Sequence, residues 1–170
     1  MKPSFALLFS QDSVGLLHRL SHGWTSLGSV RFDDPDLMDS LGALRGQAQD
    51  LAPEGFSTLL ILPNSEVLYT AIEAGDTEPE GREARVIEAL EGRTPYAIED
   101  LVYDWADSDG VIRIAAAARE TLAEAEGFGR DYRFNPAAFA AHPEGDAFIG
   151  LAWFGLTAAS AALPETERPS

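Results

Sequence analysis

The chain has 170 residues, with 12 Lys and Arg against 28 Asp and Glu, and a formal net charge of −16. That length suits one domain or two small subdomains with a real core. The charge opposes phosphate backbones, and the arginines stand singly (Arg45, Arg82, Arg85, Arg113, Arg119), so no nucleic-acid partner is expected. There is no cysteine, which excludes disulfides and thiolate metal sites. The apolar stretch after Met1 is too short for a signal peptide or a spanning helix, and the chain reads as cytoplasmic.

In chain order, the first third alternates as strands do. Phe5, Leu7 and Phe9 share one face, Gln11-Asp12-Ser13 makes a polar turn, and Val14, Leu16 and Leu17 follow. After Ser21-His22-Gly23, a third extended run holds Trp24, Leu27, Val30 and Phe32. These three runs predict an antiparallel meander. The period then changes: Leu37, Leu41, Leu44, Ala48 and Leu51 step by 4, 3, 4 and 3, one apolar stripe on a helix. Asp34 stands where an N-cap is wanted, Pro35 suits the first turn, and Pro53 ends the helix. The continuous apolar run Phe56 to Leu62 fits a strand covered on both faces and parallel to the first.

From Val67 the pattern restarts. Val67 to Ile72 reads as a strand, and Thr77 with Glu80 has capping-box spacing before a helix through Val86, Ile87 and Leu90. Gly92 suits its end. Leu101 to Trp105 and Val111 to Ala116 flank Asp107-Ser108-Asp109-Gly110, a hairpin signal. Thr121 and Glu124 repeat the capping spacing for a short helix to Phe128, and Phe134 to Phe139 is a last strand. The order is βββαβ, then β-α-β-β-α-β, an α/β chain ending in a loose polar tail over 164–170.

Few residues point to chemistry. Asp33, Asp34, Asp36 and Asp39 cluster at a helix N-terminus, where the dipole favours negative charge, so capping explains them better than a metal. Asp104, Asp107 and Asp109-Gly110 lack the glutamate that a calcium loop needs at its twelfth place and read as a turn. His18, His22 and His142 form no zinc-hydrolase pattern, and Gly-x-Ser-x-Gly, Gly-x-Gly-x-x-Gly and the P-loop pattern are absent. Gly127-Phe128-Gly129 reads as a helix end. Residues 147–163 carry no charge over 17 residues, the lower edge of spanning length. Their glycines and acidic flanks favour core-covering chain or a partner-facing patch, with membrane contact as the alternative. Tyr69, Tyr96, Tyr103 and Trp105 suit cross-strand core pairs or a groove for a partner peptide.

Two phrases carry a resemblance. They are Leu60-Ile61-Leu62-Pro63-Asn64-Ser65-Glu66-Val67-Leu68 and Arg93-Thr94-Pro95-Tyr96-Ala97-Ile98-Glu99-Asp100-Leu101-Val102-Tyr103-Asp104. With the rhythm of Val111 to Glu120 and of Phe134-Asn135-Pro136, they make residues 4–148 resemble the N-terminal half of bacterial actin-like proteins. The kind resembled is that of pilus assembly and the L-component of type II secretion. The chain also looks like the start of longer bacterial proteins labelled translation initiation factor 2, although no GTPase phosphate loop is present.

The resemblance implies a ribonuclease-H-like (actin-like) lobe with a mixed sheet over 4–66 and 132–160, and an inserted α/β subdomain over 67–131. In the family an Asp and a Gly at the end of the first strand open the nucleotide site; here those positions are Leu8 and Ser10. Leu8 cannot ligate a magnesium–phosphate complex, and 170 residues leave no room for the second lobe, so no catalysis and no cofactor are expected. The expected role is a non-catalytic scaffold that recruits a protein or peptide to an envelope-associated assembly, at the inner face of the membrane through that partner and without a span of its own. The groove expected to hold the peptide lies near Tyr96, Ile98, Tyr103 and Trp105. The alternatives are a phosphoryl-transfer enzyme using Asp12 and Mg²⁺, and a translation-factor accessory domain.

Overall fold

The computed structural model describes residues 3–75, 78–145 and 147–158. Nine strands and three helices among them form two sheets, the larger in the order β3-β2-β1-β4-β8-β9 and the smaller in the order β5-β7-β6. The meander is β1 (Phe5–Phe9), β2 (Ser13–Leu20) and β3 (Gly23–Arg31), antiparallel throughout. Helix α1 (Leu37–Leu51) crosses over to β4 (Thr58–Leu62), which lies parallel to β1 as its unbroken apolar run predicted. Strand β8 (Pro136–Ala141) is parallel to β4 on its other side, and β9 (Ala152–Leu156) is antiparallel to β8.

One face of this sheet, with Phe5, Leu7, Leu16, Val30, Leu60 and Phe139, packs against Leu41, Leu44 and Ala48 of α1 and Leu122 and Ala125 of α3 (Arg119–Asp131). The other face carries Ala6, Leu59, Ile61, Ala138 and Ala140, with Trp24, Leu151 and Trp153 against them. Apolar faces on both sides make β4 buried along all five residues. Asp34 stands two residues before the helix cap and works through an Asx turn. Its carboxylate accepts the Asp36 N–H (2.7 Å) and the Ser40 hydroxyl (3.1 Å). Gly28, at φ 146°, lets α1 lie close on β3: an added Cβ would sit 2.9 Å from Leu44 Cδ2.

The smaller sheet contains β5 (Val67–Glu73), β6 (Leu101–Ser108) and β7 (Val111–Ala118), with α2 (Arg82–Glu91) on one face. Leu68, Ile72, Ile112, Ile114 and Ala116 meet Val86 and Leu90 of α2, whereas Val67, Ala115, Ala117 and Val102 turn to the larger core. The two-residue period of strands thus gives this thin sheet two apolar faces. Within the stretch 67–131, α3 packs on β4 and β8 of the larger sheet. The hairpin signal holds: Asp109 (φ 55°) and Gly110 (φ 78°) form the tight turn joining β6 to β7.

Several local expectations need correction. Helix α3 begins at Arg119 directly from β7, with Ala118 as its cap and no side-chain capping bond, so Thr121 is inside the first turn and the Thr121–Glu124 capping box does not form. Gly127 and Gly129 do not end this helix, which runs on to Asp131. Gly129 instead permits close packing, because a Cβ there would lie 3.2 Å from Pro136. Helix α2 starts at Arg82 after a single turn over Pro79–Gly81, and Thr77 lies outside the described residues. The last expected strand is displaced to Pro136–Ala141, and the uncharged stretch 147–163 covers the core with Phe148, Ala152 and Phe154, in part as the strand β9. Its residues beyond 158, and the tail 164–170, lie outside the described residues.

Candidate functional site

The chain passes from the larger sheet to the smaller at a single turn, Asn64–Glu66, and returns where β7 runs into α3. A groove of about 330 Å³ opens at this double crossing. Ser65, Glu66, Val67 and Leu68 form one wall, Thr94, Tyr96 and Leu101 another, and Ala116, Ala117, Ala118 and Thr121 the floor and end. Short side chains at 116–118 keep the floor low, and the register explains why the walls meet there: Leu68 pairs with Ala116, and Ala118 with Leu101.

Tyr96 belongs to this groove and is 49% exposed. Pro95 restricts the loop before it, and the Thr94 hydroxyl accepts the Tyr96 N–H at 3.2 Å, so the ring is presented from a braced backbone. The other three expected residues lie elsewhere. Ile98 sits in the turn Ile98–Asp100 and packs with the α2 cluster. Tyr103 and Trp105 point to the same side of β6, toward α2, in register with Ala116 and Ile114. The Tyr103 hydroxyl donates to Glu83 of α2 at 2.9 Å. Burial first, and then this glutamate, raise the Tyr103 pKa. Of the four aromatic and apolar positions, only Tyr96 lines the groove.

Polar ties fix the walls. Asn64 accepts the Tyr69 hydroxyl at 2.6 Å and donates its amide to the His142 carbonyl at 2.9 Å, joining both sheets at the crossing. On the far side, Asp104 of β6 accepts the backbone N–H of Trp105 and that of Trp153 in β9, each at 2.9 Å. This carboxylate occupies the outer edge of β9, where a foreign strand would otherwise pair. Arg119 donates Nε–H to the Glu99 carbonyl at 2.8 Å, holding the 98–100 turn beside the start of α3. Six more lining residues (Ser65 to Leu68, Thr94 and Leu101) lie in the two phrases that carry the resemblance, but nothing in their chemistry marks them as a site, and the alanines of the floor carry no signature at all.

The first hairpin turn shows a different arrangement. Leu8 is 40% exposed near the end of β1. In the turn after it, Ser10 donates to Asp12 at 3.2 Å. Arg31 reaches Asp12 at 3.7 Å and Asp33 at 3.1 Å, so Asp12 already has a cationic neighbour. Hydrogen bonding to Arg31, and then its charge, hold the Asp33 carboxyl below its usual value. Among the described residues no group of three or more His, Asp or Glu is placed to hold a metal ion, and no helix is long and apolar enough to cross a membrane.

No protein-family model matches the chain. No curated protein sequence matches it either. Solved structures do. One is the cytoplasmic domain of EpsL, an inner membrane component of the type II secretion system of Vibrio cholerae. It superposes with a TM-score of 0.58 at 14% identity, over 79% of this chain and 55% of that one. Another is a PilM-PilN type IV pilus biogenesis complex, with a TM-score of 0.60 at 17% identity over 83% of this chain and 48% of that one. The chain thus spans about half the length of these neighbours. The ribonuclease-H-like, actin-like fold expected from the resemblance is the fold found, and both neighbours come from the two assemblies that the resemblance named.

Proposed function

We propose that this chain is a non-catalytic actin-like interaction domain whose groove at the sheet crossing holds a protein or peptide partner of an envelope-associated assembly of the pilus or secretion kind. The observation that carries the reading is the braced, half-exposed Tyr96 over an alanine floor. Aromatic rings held at low entropy cost beside an apolar pocket are the usual anchors of protein interfaces. Membership of a pilus complex by one structural neighbour, and of an inner membrane secretion component by another, supports the same kind of role. On this reading the domain works at the cytoplasmic face of the membrane, reached through its partner. Leu8, and Asp12 drawn toward Arg31, support a scaffold over phosphoryl transfer.

A photoreactive phenylalanine analogue placed at Tyr96, and separately at the exposed Met38 of α1, tests the reading. Light should join position 96, and not position 38, to a discrete protein partner. Equal adducts from both positions contradict it. Calorimetry with Mg²⁺ and ATP should give no binding heat; tight binding that requires Mg²⁺ restores the Asp12 enzyme.

A further inference from the structure

Resting on that groove, the charge around it says what kind of segment fits. Residues 67–118 contain twelve acidic and four basic side chains. Arg82 pairs with Asp107, Arg85 donates to the Ala74 carbonyl at 2.8 Å, and the exposed Arg93 donates to the Ala71 carbonyl at 3.4 Å. Arg82 thus has its charge paired by a carboxylate, whereas Arg85 and Arg93 bond neutral carbonyls in or just after β5. Glu66 forms part of the groove wall, and three more acidic residues adjoin lining residues in the chain, Glu99 and Asp100 just before Leu101 and Glu120 just before Thr121; all four are exposed. The cations placed in the same way are Arg93, which precedes Thr94, and Arg119, whose Nε–H is already given to the Glu99 carbonyl.

We infer that the groove takes a basic segment: an extended peptide with one or two apolar anchors for Tyr96 and the alanine floor, and Lys or Arg beside them. An acidic segment would meet four carboxylates against two guanidiniums. At physiological salt the screening length is about 8 Å, so carboxylates at the rim act on a seated peptide while the rest of the −16 charge mainly steers approach. The apolar floor gives residence and the rim gives choice of partner.

A displayed library of random twelve-residue peptides, selected on the full chain and on its Tyr96→Ala variant, is the test. Selection on the wild type should enrich apolar sequences of net positive charge, and Tyr96→Ala should lose them. An enriched peptide should bind Glu66→Lys/Glu99→Lys about tenfold more weakly. It should also weaken several-fold as salt rises from about 50 to about 300 mM. Enrichment of neutral or acidic sequences that still depend on Tyr96 would overturn the charge inference and leave the groove standing. Enrichment that ignores Tyr96→Ala, or no enrichment, would overturn the groove and the inference together.

Discussion

Strand β4 is buried at all five of its residues, while β6 is buried at one of its eight. Both strands lie in apolar surroundings, but β4 is central, with side-chain layers on both faces and neighbours on both edges. Strand β6 is the edge of a thin sheet. The larger sheet is therefore held by packing at its centre, and the smaller one by packing on both faces of β7, with hydrogen bonds to the surroundings at its half-exposed edges. The consequence is functional. A tightly packed sheet fixes the position of the crossing, and the half-exposed sheet leaves wall, floor and rim open for a partner.

Breaking the packed side should have the largest effect. Leu60→Ala removes a fully buried side chain on the sheet face that packs against α3 and should cost about 3–5 kcal/mol in denaturant unfolding. Val102→Ala, on partly exposed β6, should cost clearly less; equal losses would erase the distinction between the sheets. Next, Asp104→Ala leaves the Trp153 and Trp105 N–H groups without their carboxylate. A loss of about 1–3 kcal/mol is expected. Faster amide exchange should accompany it at these two residues, with β4 unchanged.

The smallest effect concerns pH. Burial, and secondly the negative charge of Glu144, push the Tyr69 pKa from 10.0 up to about 12. The folded protein thus favours the protonated phenol, and its hydroxyl donates to Asn64. A raised folded value means that this stabilisation is complete below pH 10 and is lost as pH climbs through about 12. Tyr69→Phe should therefore be somewhat less stable at neutral pH and should lack that alkaline component. Parallel stability profiles for the two proteins between those values would contradict the assignment.

How much was legible in the sequence follows the same division. The α1 stripe and the Phe56–Leu62 run each have one dominant period; Leu41, Leu44, Ala48 and all of β4 are buried on the expected faces, whereas Leu51 in the last turn of α1 is 53% exposed. The Asp109-Gly110 turn was readable because few residues accept its positive φ values. Strand β9 is not legible in the sequence because its alternation is broken: its pairing with β8 shifts register between Phe139 and Ala140, and Gly155 sits at φ 99°. The start of α3 has no sequence marker, because β7 enters the helix without a capping side chain. Within the site, Tyr103 and Trp105 look alike in sequence to Tyr96. Only the pairing of β6 with β7 shows that they turn to α2 while Tyr96, on its loop, does not.

Amide hydrogen exchange of the whole chain, with and without a bound partner peptide, tests the central claim most directly. If the sheet crossing is the binding site, protection should gather in three stretches, 65–68, 94–101 and 116–121, and leave the first hairpin turn at 10–13 unchanged. Protection centred on that turn and on Arg31, with the three stretches exchanging as in the free protein, would contradict the account.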